Sequence, residues 1–141
     1  MGAVDIGGLP GQALLLMDSA PIIYFLEDHP KLKQRFLPLF EAHASGRLRF
    51  AVTTITIAEV LAGPLRAADD VLARRYRTIL ESWRPVDLDV DIAESAARLR
   101  ASLRLKLADA IQVASALAIN AAALVTHDRD FSRVHSLRII S

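Results

Sequence analysis

A chain of 141 residues, of which 52% are hydrophobic and 23% charged, is long enough to bury one core and too apolar to be disordered. The absence of cysteine excludes disulfide scaffolds, thiol catalysis and cysteine-ligated zinc, and it fits a cytoplasmic location. The formal net charge of +1 excludes a bulk excess of positive charge for binding nucleic acid, although 17 lysines and arginines leave room for a local basic face.

Glycine and proline dominate the start of the chain, and we expect residues 1–12 to form a flexible leader without a secretory signal. No apolar run is long enough to predict a membrane span. Hydrophobic periodicity and chain-breaking residues predict the remaining elements in chain order. They are a strand over about 13–17, helices over 21–28 and 31–44, a strand over 47–54, helices over 56–63 and 69–83, a strand over 85–90, helices over 91–104 and 108–121, a strand over 123–128, a helical turn over 130–135 and a strand over 137–141.

Short apolar strands that alternate with helices predict a parallel sheet covered on both faces. The expected fold is therefore α/β, a three-layer α/β/α sandwich with a central, mainly parallel sheet. We expect residues 13–141 to form it as a single domain, since no linker or repeat interrupts them.

Acidic residues occur where several of these elements end or begin. Asp18 ends the first strand and Asp128 ends the fourth, with Asp130 two residues further on. Glu59 falls in the first turn of the helix after the second strand, and Asp109 begins the alanine-rich helix before the fourth. Because ligands of an open α/β sheet bind outside the carboxyl ends of its strands, we expect these carboxylates to meet at one edge.

Each of these acids also has a simpler explanation as part of a helix terminus. Asp18 and Asp128 can cap the helical segments that follow them, and Thr56 with Glu59 fits a capping box. Asp109 lies near a helix N-terminus, where the macrodipole favours a negative charge. Taken one at a time, these structural explanations are adequate.

Taken together, converging carboxylates repel one another, and a divalent cation between them would relieve the repulsion. Ligands that offer only oxygen favour a hard ion, Mg²⁺ or Mn²⁺, over zinc. Such ions bind phosphate oxygens and activate water for in-line attack. The pattern therefore predicts a metal-dependent, phosphate-processing site.

Four stretches resemble, in this order and spacing, the acidic motifs of PIN domains: LLLMDSAPIIYFLE, TTITIAEVLAGP, LKLADAIQVASALA and LVTHDRDF. The resemblance is greatest to the toxin ribonucleases of bacterial VapBC toxin–antitoxin pairs, and it extends from about residue 14 to residue 141. It implies a parallel-sheet nuclease that uses Mg²⁺ or Mn²⁺ to hydrolyse phosphodiester bonds in RNA. It also implies a homodimer and a cognate antitoxin that inhibits by binding over the active site.

The resemblance assigns the catalytic and metal-binding positions one by one. The first acid, the glutamate, the third acid and the fourth acid correspond to Asp18, Glu59, Asp109 and Asp128. Asp130 matches a further, less uniform acidic position, and Ser19 matches a hydroxyl position that helps to hold the metal or its waters. The sequence departs from the family at Ala20, where Asn or Ser is common, and so lacks one polar contact.

Basic side chains near these acids are candidates for binding RNA phosphates. They are Arg98, Arg100, Arg104 and Lys106, which precede Asp109, and their alternative role is a solvated helix face. Tyr24 and Phe25 can stack on bases, although core packing is the better interpretation. His127 either lines the cleft or, as we expect, lies on the surface.

Competing interpretations depend on the same acids. A receiver domain needs an acidic pair after its first strand, and a haloacid-dehalogenase-type phosphatase needs Asp-x-Asp there, whereas Asp18 stands alone. Asp87, Asp89 and Asp91 alternate, and we interpret them as an exposed strand face with Asp91 as the N-cap of the next helix. The remaining alternative is a catalytically inactive PIN-like module that binds RNA or protein, although no acid of the quartet is missing.

Overall fold

The computed structural model describes residues 2–141 and contains a five-stranded sheet. Its strands are β1 (Ala13–Met17), β2 (Leu48–Thr53), β3 (Arg84–Val86), β4 (Ala123–Val125) and β5 (Ile139–Ile140). The helices are α1 (Ser19–Leu26), α2 (Leu32–Ala44), α3 (Thr54–Arg66), α4 (Asp70–Glu81), α5 (Val90–Leu103) and α6 (Leu107–Ala118), and a 3₁₀ turn covers Arg129–Arg133. The strand pairs are parallel, in the order β3-β2-β1-β4-β5, which confirms the predicted α/β class.

Two hydrophobic clusters cover the two faces of the sheet and make the sandwich three layers thick. Side chains alternate along β1, so that Leu15 and Met17 pack in the cluster formed with α1 to α4, and Leu14 and Leu16 pack in the cluster formed with α5 and α6. Every residue of β1 is buried. Burial on both faces explains why this strand reads as a continuous apolar run.

The order of the strands reverses between β1 and β4. The chain moves outward from β1 to β3 and then returns to the other side of β1 to form β4 and β5. Met17 pairs with Val125 in register, and the N–H of Asp18 donates to the carbonyl of Val125 at 2.9 Å. The carboxyl ends of these two strands therefore flank the crevice in which such a fold binds ligands.

Several predicted element boundaries differ from those in the structure, and three of the differences arise where residues act as caps or pack in the core. Helix α3 begins at Thr54, two residues before the predicted start, and continues past Pro64. Proline cannot donate a helix hydrogen bond, but the burial of Pro64 offsets this loss. Strand β3 ends at Val86 because Asp89, rather than Asp91, caps α5 by accepting the N–H of Ile92 at 2.8 Å. Strand β4 ends three residues before Asp128, which caps the 3₁₀ turn instead.

Residues 2–12 contain no helix or strand, yet they contact the domain. Val4 is buried and donates its N–H to the carbonyl of Arg35 at 2.9 Å, and Ile6 and Leu9 pack against the core. Met1, the first residue of the predicted leader, lies outside the described residues, and the flexibility of the leader stays a prediction. Within residues 2–141, no helix combines the length and apolarity needed to cross a membrane.

Candidate functional site

Asp18 directly follows β1, and hydrogen bonds from neighbouring segments hold its carboxylate in place. Oδ1 accepts the N–H of Ser19 at 2.9 Å and the side-chain amide of Gln112 at 3.1 Å, and Oδ2 accepts the hydroxyl of Thr126 at 2.8 Å. The bond from Ser19 makes Asp18 the N-cap of α1, as the simpler explanation expected. A carboxylate accepts about four hydrogen bonds, so Asp18 keeps capacity for one further ligand.

Gln112 connects Asp18 to the start of α3. Its amide nitrogen also donates to the hydroxyl of Thr56 at 2.9 Å, and its amide oxygen accepts the hydroxyl of Thr53 at 2.7 Å. All three of these polar side chains are buried. Sequence reasoning missed this network; its only signal was one polar residue inside the apolar run AIQVA of α6.

The capping-box explanation of Glu59 is wrong. Thr53 caps α3 by accepting the N–H of Thr56 at 3.1 Å, and Glu59 therefore lies in the second turn rather than the first. Desolvation raises the pKa of the Glu59 carboxyl, and the negative charges of Asp18 and Asp109 raise it further. Glu59 is therefore close enough to Asp18 and Asp109 for their charges to affect its protonation.

Asp109, Asp128 and Asp130 lie close enough to bind one ion. One carboxylate oxygen from each lies within 4.8 Å of the others. Asp128 accepts the N–H of Asp130 at 2.9 Å and donates its own N–H to the hydroxyl of Thr126 at 3.0 Å, so the 3₁₀ turn is tied to the end of β4. Lys106 lies 3.5 Å from Asp130 on one side of the group.

Asp109 is the member of this group that its surroundings satisfy least. Its Oδ2 is buried and has no hydrogen-bond partner among residues 2–141. Burial raises the pKa of this carboxyl to about 6, with further increases from Asp128, Asp18 and Asp130 that Lys106 partly offsets. A buried acceptor without a partner costs free energy, so the site is incomplete without a ligand.

The donor set fits a hard divalent cation. The clustered side chains offer only carboxylate oxygens, one of which is buried without a partner, and their charges repel one another. Such a cation would bind these oxygens and neutralise the repulsion.

Asp18, Glu59, Asp109 and Asp128 line one cavity of about 550 Å³ outside the carboxyl ends of β1 and β4. Its lining consists of Asp18, Ser19, Ala20, Tyr24, Glu59, Ala108, Asp109, Gln112, His127, Asp128 and Arg129. Phe25 stacks on Phe40 in the core, as expected. Tyr24 packs on the core as well, but its hydroxyl bonds to Nδ1 of His127 at 2.8 Å, and half-buried His127 lies in the cavity wall rather than on the surface.

The predicted RNA-binding residues differ in their distance from the acids. Lys106 lies beside Asp130, whereas Arg98 pairs with Glu94 at 3.1 Å on an exposed face of α5. Arg100 donates to the carbonyl of Leu105 at 3.3 Å, and Arg104 ends α5 in a left-handed conformation with φ of 55°. Arg129, which lines the cavity, was missed, although its place between two aspartates was a signal.

Comparisons with known proteins agree with this arrangement. The model of the PIN domain family matches residues 15–137. A chain of a toxin–antitoxin complex from Klebsiella pneumoniae is 25% identical, with a TM-score of 0.72 over 90% of this chain and 96% of that one. A chain of VapBC2 from Rickettsia felis, bound to a DNA fragment from its promoter, is 20% identical, with a TM-score of 0.70 over 89% and 96%.

A more distant structural neighbour is VapC20 from Mycobacterium tuberculosis, a toxin that cleaves the sarcin-ricin loop. It is 16% identical, with a TM-score of 0.63 over 84% of this chain and 92% of that one. A search of curated proteins finds no significant match. Because the family model covers most of the chain and includes all four acidic segments, the chain belongs to the PIN domain family.

Proposed function

We propose that this protein is a metal-dependent endoribonuclease that hydrolyses RNA phosphodiester bonds in the cytoplasm, as the toxin of a VapBC-type toxin–antitoxin pair. The observation that carries the proposal is the buried, unpartnered Oδ2 of Asp109 beside the carboxylates of Asp128 and Asp130. Membership of the PIN domain family and the toxins among its structural neighbours support the same activity.

The acids of the cavity are the proposed ligands of Mg²⁺ or Mn²⁺. The direct ligands would come from Asp18, Glu59, Asp109 and Asp128, with weaker contributions from Asp130 and Ser19. When bound, the cation lowers the pKa of a ligand water and neutralises charge on the attacked phosphate.

The protein's own groups have separate tasks in this mechanism. Asp18 cannot rotate away because three hydrogen bonds hold it, so it provides a fixed reference point for the reacting groups. One carboxylate of the cavity that does not bind the cation directly would accept a proton from the attacking water. The water oxygen attacks phosphorus, and one P–O bond of the RNA breaks. The leaving oxygen of that bond takes a proton from solvent.

Basic residues would bring RNA to this acidic cavity. We retain Arg98, Arg100, Arg104 and Lys106 as candidates, with Lys106 first because it lies 3.5 Å from Asp130. Arg129 joins them because it lines the cavity itself. A cation at the carboxylates and these side chains together would offset the negative charge of the RNA backbone.

We also propose a cognate antitoxin as the partner that covers the cavity, and a homodimer as the assembly. Structural neighbours that occur in toxin–antitoxin and VapBC complexes support the antitoxin. Co-purification with the product of an adjacent small gene tests this part, and recovery of cleavage after that product is removed would establish inhibition. Sedimentation velocity of the purified chain tests the homodimer.

Cleavage of total cellular RNA is the decisive experiment. Wild-type protein is incubated with Mg²⁺, Mn²⁺ or EDTA beside D18N and D109N. The matched control is D87N, which removes an exposed carboxylate that does not line the cavity. We expect cleavage by the wild type and D87N with either ion, and none with EDTA or in the two site variants. Equal cleavage by D109N, or cleavage that persists in EDTA, would refute the metal-dependent ribonuclease and favour a binding module.

A further inference from the structure

We propose that Tyr24 and His127 form a phosphate-binding arm of the site, in which Nε2–H of His127 donates a hydrogen bond to an RNA phosphate oxygen. Tyr24 is the positioning residue that holds the imidazole. The inference rests on the proposed ribonuclease function and adds to it a substrate contact that the acidic residues cannot provide.

The two side chains come from distant parts of the chain and meet in the cavity wall. Tyr24 lies in α1, and His127 lies between β4 and the 3₁₀ turn, next to Asp128. The Tyr24 hydroxyl and His127 Nδ1 are 2.8 Å apart, and the two rings meet edge to face with centroids 5.5 Å apart. The ring of Phe36 also meets the imidazole edge to face, with centroids 5.8 Å apart and an angle of 82° between the ring planes. These contacts fix the orientation of the ring.

The hydrogen bond to Tyr24 determines which nitrogen of His127 can face a substrate. Among residues 2–141 the Tyr24 hydroxyl has one hydrogen-bond partner, Nδ1 of His127. We assign the hydroxyl as the donor and Nδ1 as the acceptor, because the phenol has no other acceptor among these residues. A neutral imidazole that accepts at Nδ1 carries its own proton on Nε2. Nε2 has no partner among the same residues, so it offers an uncommitted donor.

Few other donors in the cavity wall are available to a phosphate. Both hydrogens of the Gln112 amide are already used, by Asp18 and by a threonine. Ser19 lines the cavity but is already a proposed, weaker ligand of the cation. Within residues 2–141, Arg129 makes no salt bridge, and together with His127 it is what remains to bind the oxygens of a phosphate. A cavity with this many carboxylates needs such donors to hold an anion.

Binding of RNA separates this role from a purely structural one. The probe is a fluorescein-labelled, mixed-sequence RNA decamer, whose anisotropy is measured in Ca²⁺ and again in EDTA. We expect H127A to weaken binding about tenfold, the usual scale for a lost hydrogen bond to a charged group. We expect Y24F, which keeps the ring, to weaken binding by a few fold. The matched control is H135A, which removes an exposed histidine outside the cavity and should bind like the wild type.

The variant H127Q distinguishes hydrogen bonding from packing. Glutamine places an amide donor near the position of Nε2 but loses the aromatic contacts with Tyr24 and Phe36. If His127 contacts phosphate, H127Q recovers most of the RNA affinity even where its melting temperature falls. If affinity follows melting temperature across the variants, or if H127A binds RNA like H135A, the proposal is wrong.

Cleavage assays on the same variants separate this inference from the proposed function. Cleavage by the wild type together with an H127A defect confined to KM supports both. Cleavage by the wild type with an unchanged H127A overturns the phosphate-binding arm alone. If the wild type does not cleave RNA, the ribonuclease proposal fails, and the anisotropy results still decide whether His127 contacts RNA.

Discussion

The two halves of the acidic cavity differ in how fully the protein satisfies them. In the Asp18 half (Asp18, Gln112, Thr53, Thr56 and Thr126), each polar side chain has a hydrogen-bond partner, and the connections run from β1 through α6 to α3. In the Asp109 half (Asp109, Asp128 and Asp130), carboxylates approach one another and one buried oxygen has no partner among residues 2–141.

The two halves therefore have different roles in the proposed site. A satisfied polar network is rigid, so the Asp18 half holds its carboxylate in one place before any ligand arrives. The Asp109 half stores unfavourable energy that a cation would release on binding. Stability is lost in one half so that affinity for the cation can be gained there, as is common where function and stability compete.

The largest expected effect is stabilisation by the cation itself. A ligand that binds only the folded state at 100 times its Kd adds about 2.7 kcal/mol to the free energy of unfolding. Wild-type protein should therefore melt several degrees higher in excess Mg²⁺ or Mn²⁺ than in EDTA, measured by circular dichroism. D109N should show little of this increase, and D87N should show all of it. An equal increase in D109N would place the cation elsewhere.

The second prediction concerns the loss of Gln112 from the Asp18 half. Q112L is similar in size but removes three hydrogen bonds, one each to Asp18, Thr53 and Thr56, while these residues keep their other partners. Because each lost hydrogen bond costs about 0.5–1.5 kcal/mol, we expect urea unfolding to show a loss of about 2 kcal/mol. Loss of a group that orients a metal ligand should also lower cleavage about 10- to 100-fold. Full activity in Q112L would show that Asp18 needs no such support.

Gln112, the residue that Q112L tests, was not identified from the sequence, and there is a physical reason why it was missed. The acids could be predicted because the carboxyl ends of parallel strands meet at one edge, whatever the details of packing. The role of Gln112 depends on how α6 is rotated against β1, and residue spacing along the chain carries no information about that. The parallel sheet with helices on both faces was likewise predicted from the apolar pattern, whereas the order of its strands was not.

Residues of the segment after β4 were harder to place for a related reason. We expected Asp128 at the end of the strand, but its side chain caps a 3₁₀ turn that brings Asp130 beside Asp109. The same turn carries Arg129 into the cavity wall, next to His127. The path of a short irregular segment is set by a few tertiary hydrogen bonds, such as that from the N–H of Asp128 to Thr126, rather than by periodicity.

The third prediction concerns the pH dependence of stability without a cation. The pKa of Asp109 rises from 3.8 to about 6 on folding, so the folded state holds this proton more tightly than the unfolded state does. The resulting contribution to stability is present below pH 4 and is lost as the pH rises towards 6. Because the side chain is partly exposed, we expect a loss of only about 1 kcal/mol.

D109N should remove this pH dependence. In EDTA its free energy of unfolding should exceed that of the wild type by about 1 kcal/mol at pH 7, and the difference should shrink towards pH 4. Urea unfolding at several pH values measures both curves. A D109N protein less stable than the wild type at pH 7 would contradict the unsatisfied state of the Asp109 half.

The smallest expected effect concerns Lys106, which borders the Asp109 half. Its side chain is 77% exposed, so the contact with Asp130 should add almost nothing to stability, and K106Q should unfold like the wild type. If Lys106 contacts an RNA phosphate, K106Q should weaken RNA binding by a similar factor for every sequence and reduce the slope of log K against log salt concentration by about 1. The matched variant R98Q removes a positive charge on an exposed face of α5, where Arg98 pairs with Glu94, and should change that slope less than K106Q does. A local phosphate contact beside the carboxylates would make the salt dependence of binding differ between K106Q and R98Q. An equal change of slope in both variants would mean that RNA responds only to the general charge of this surface.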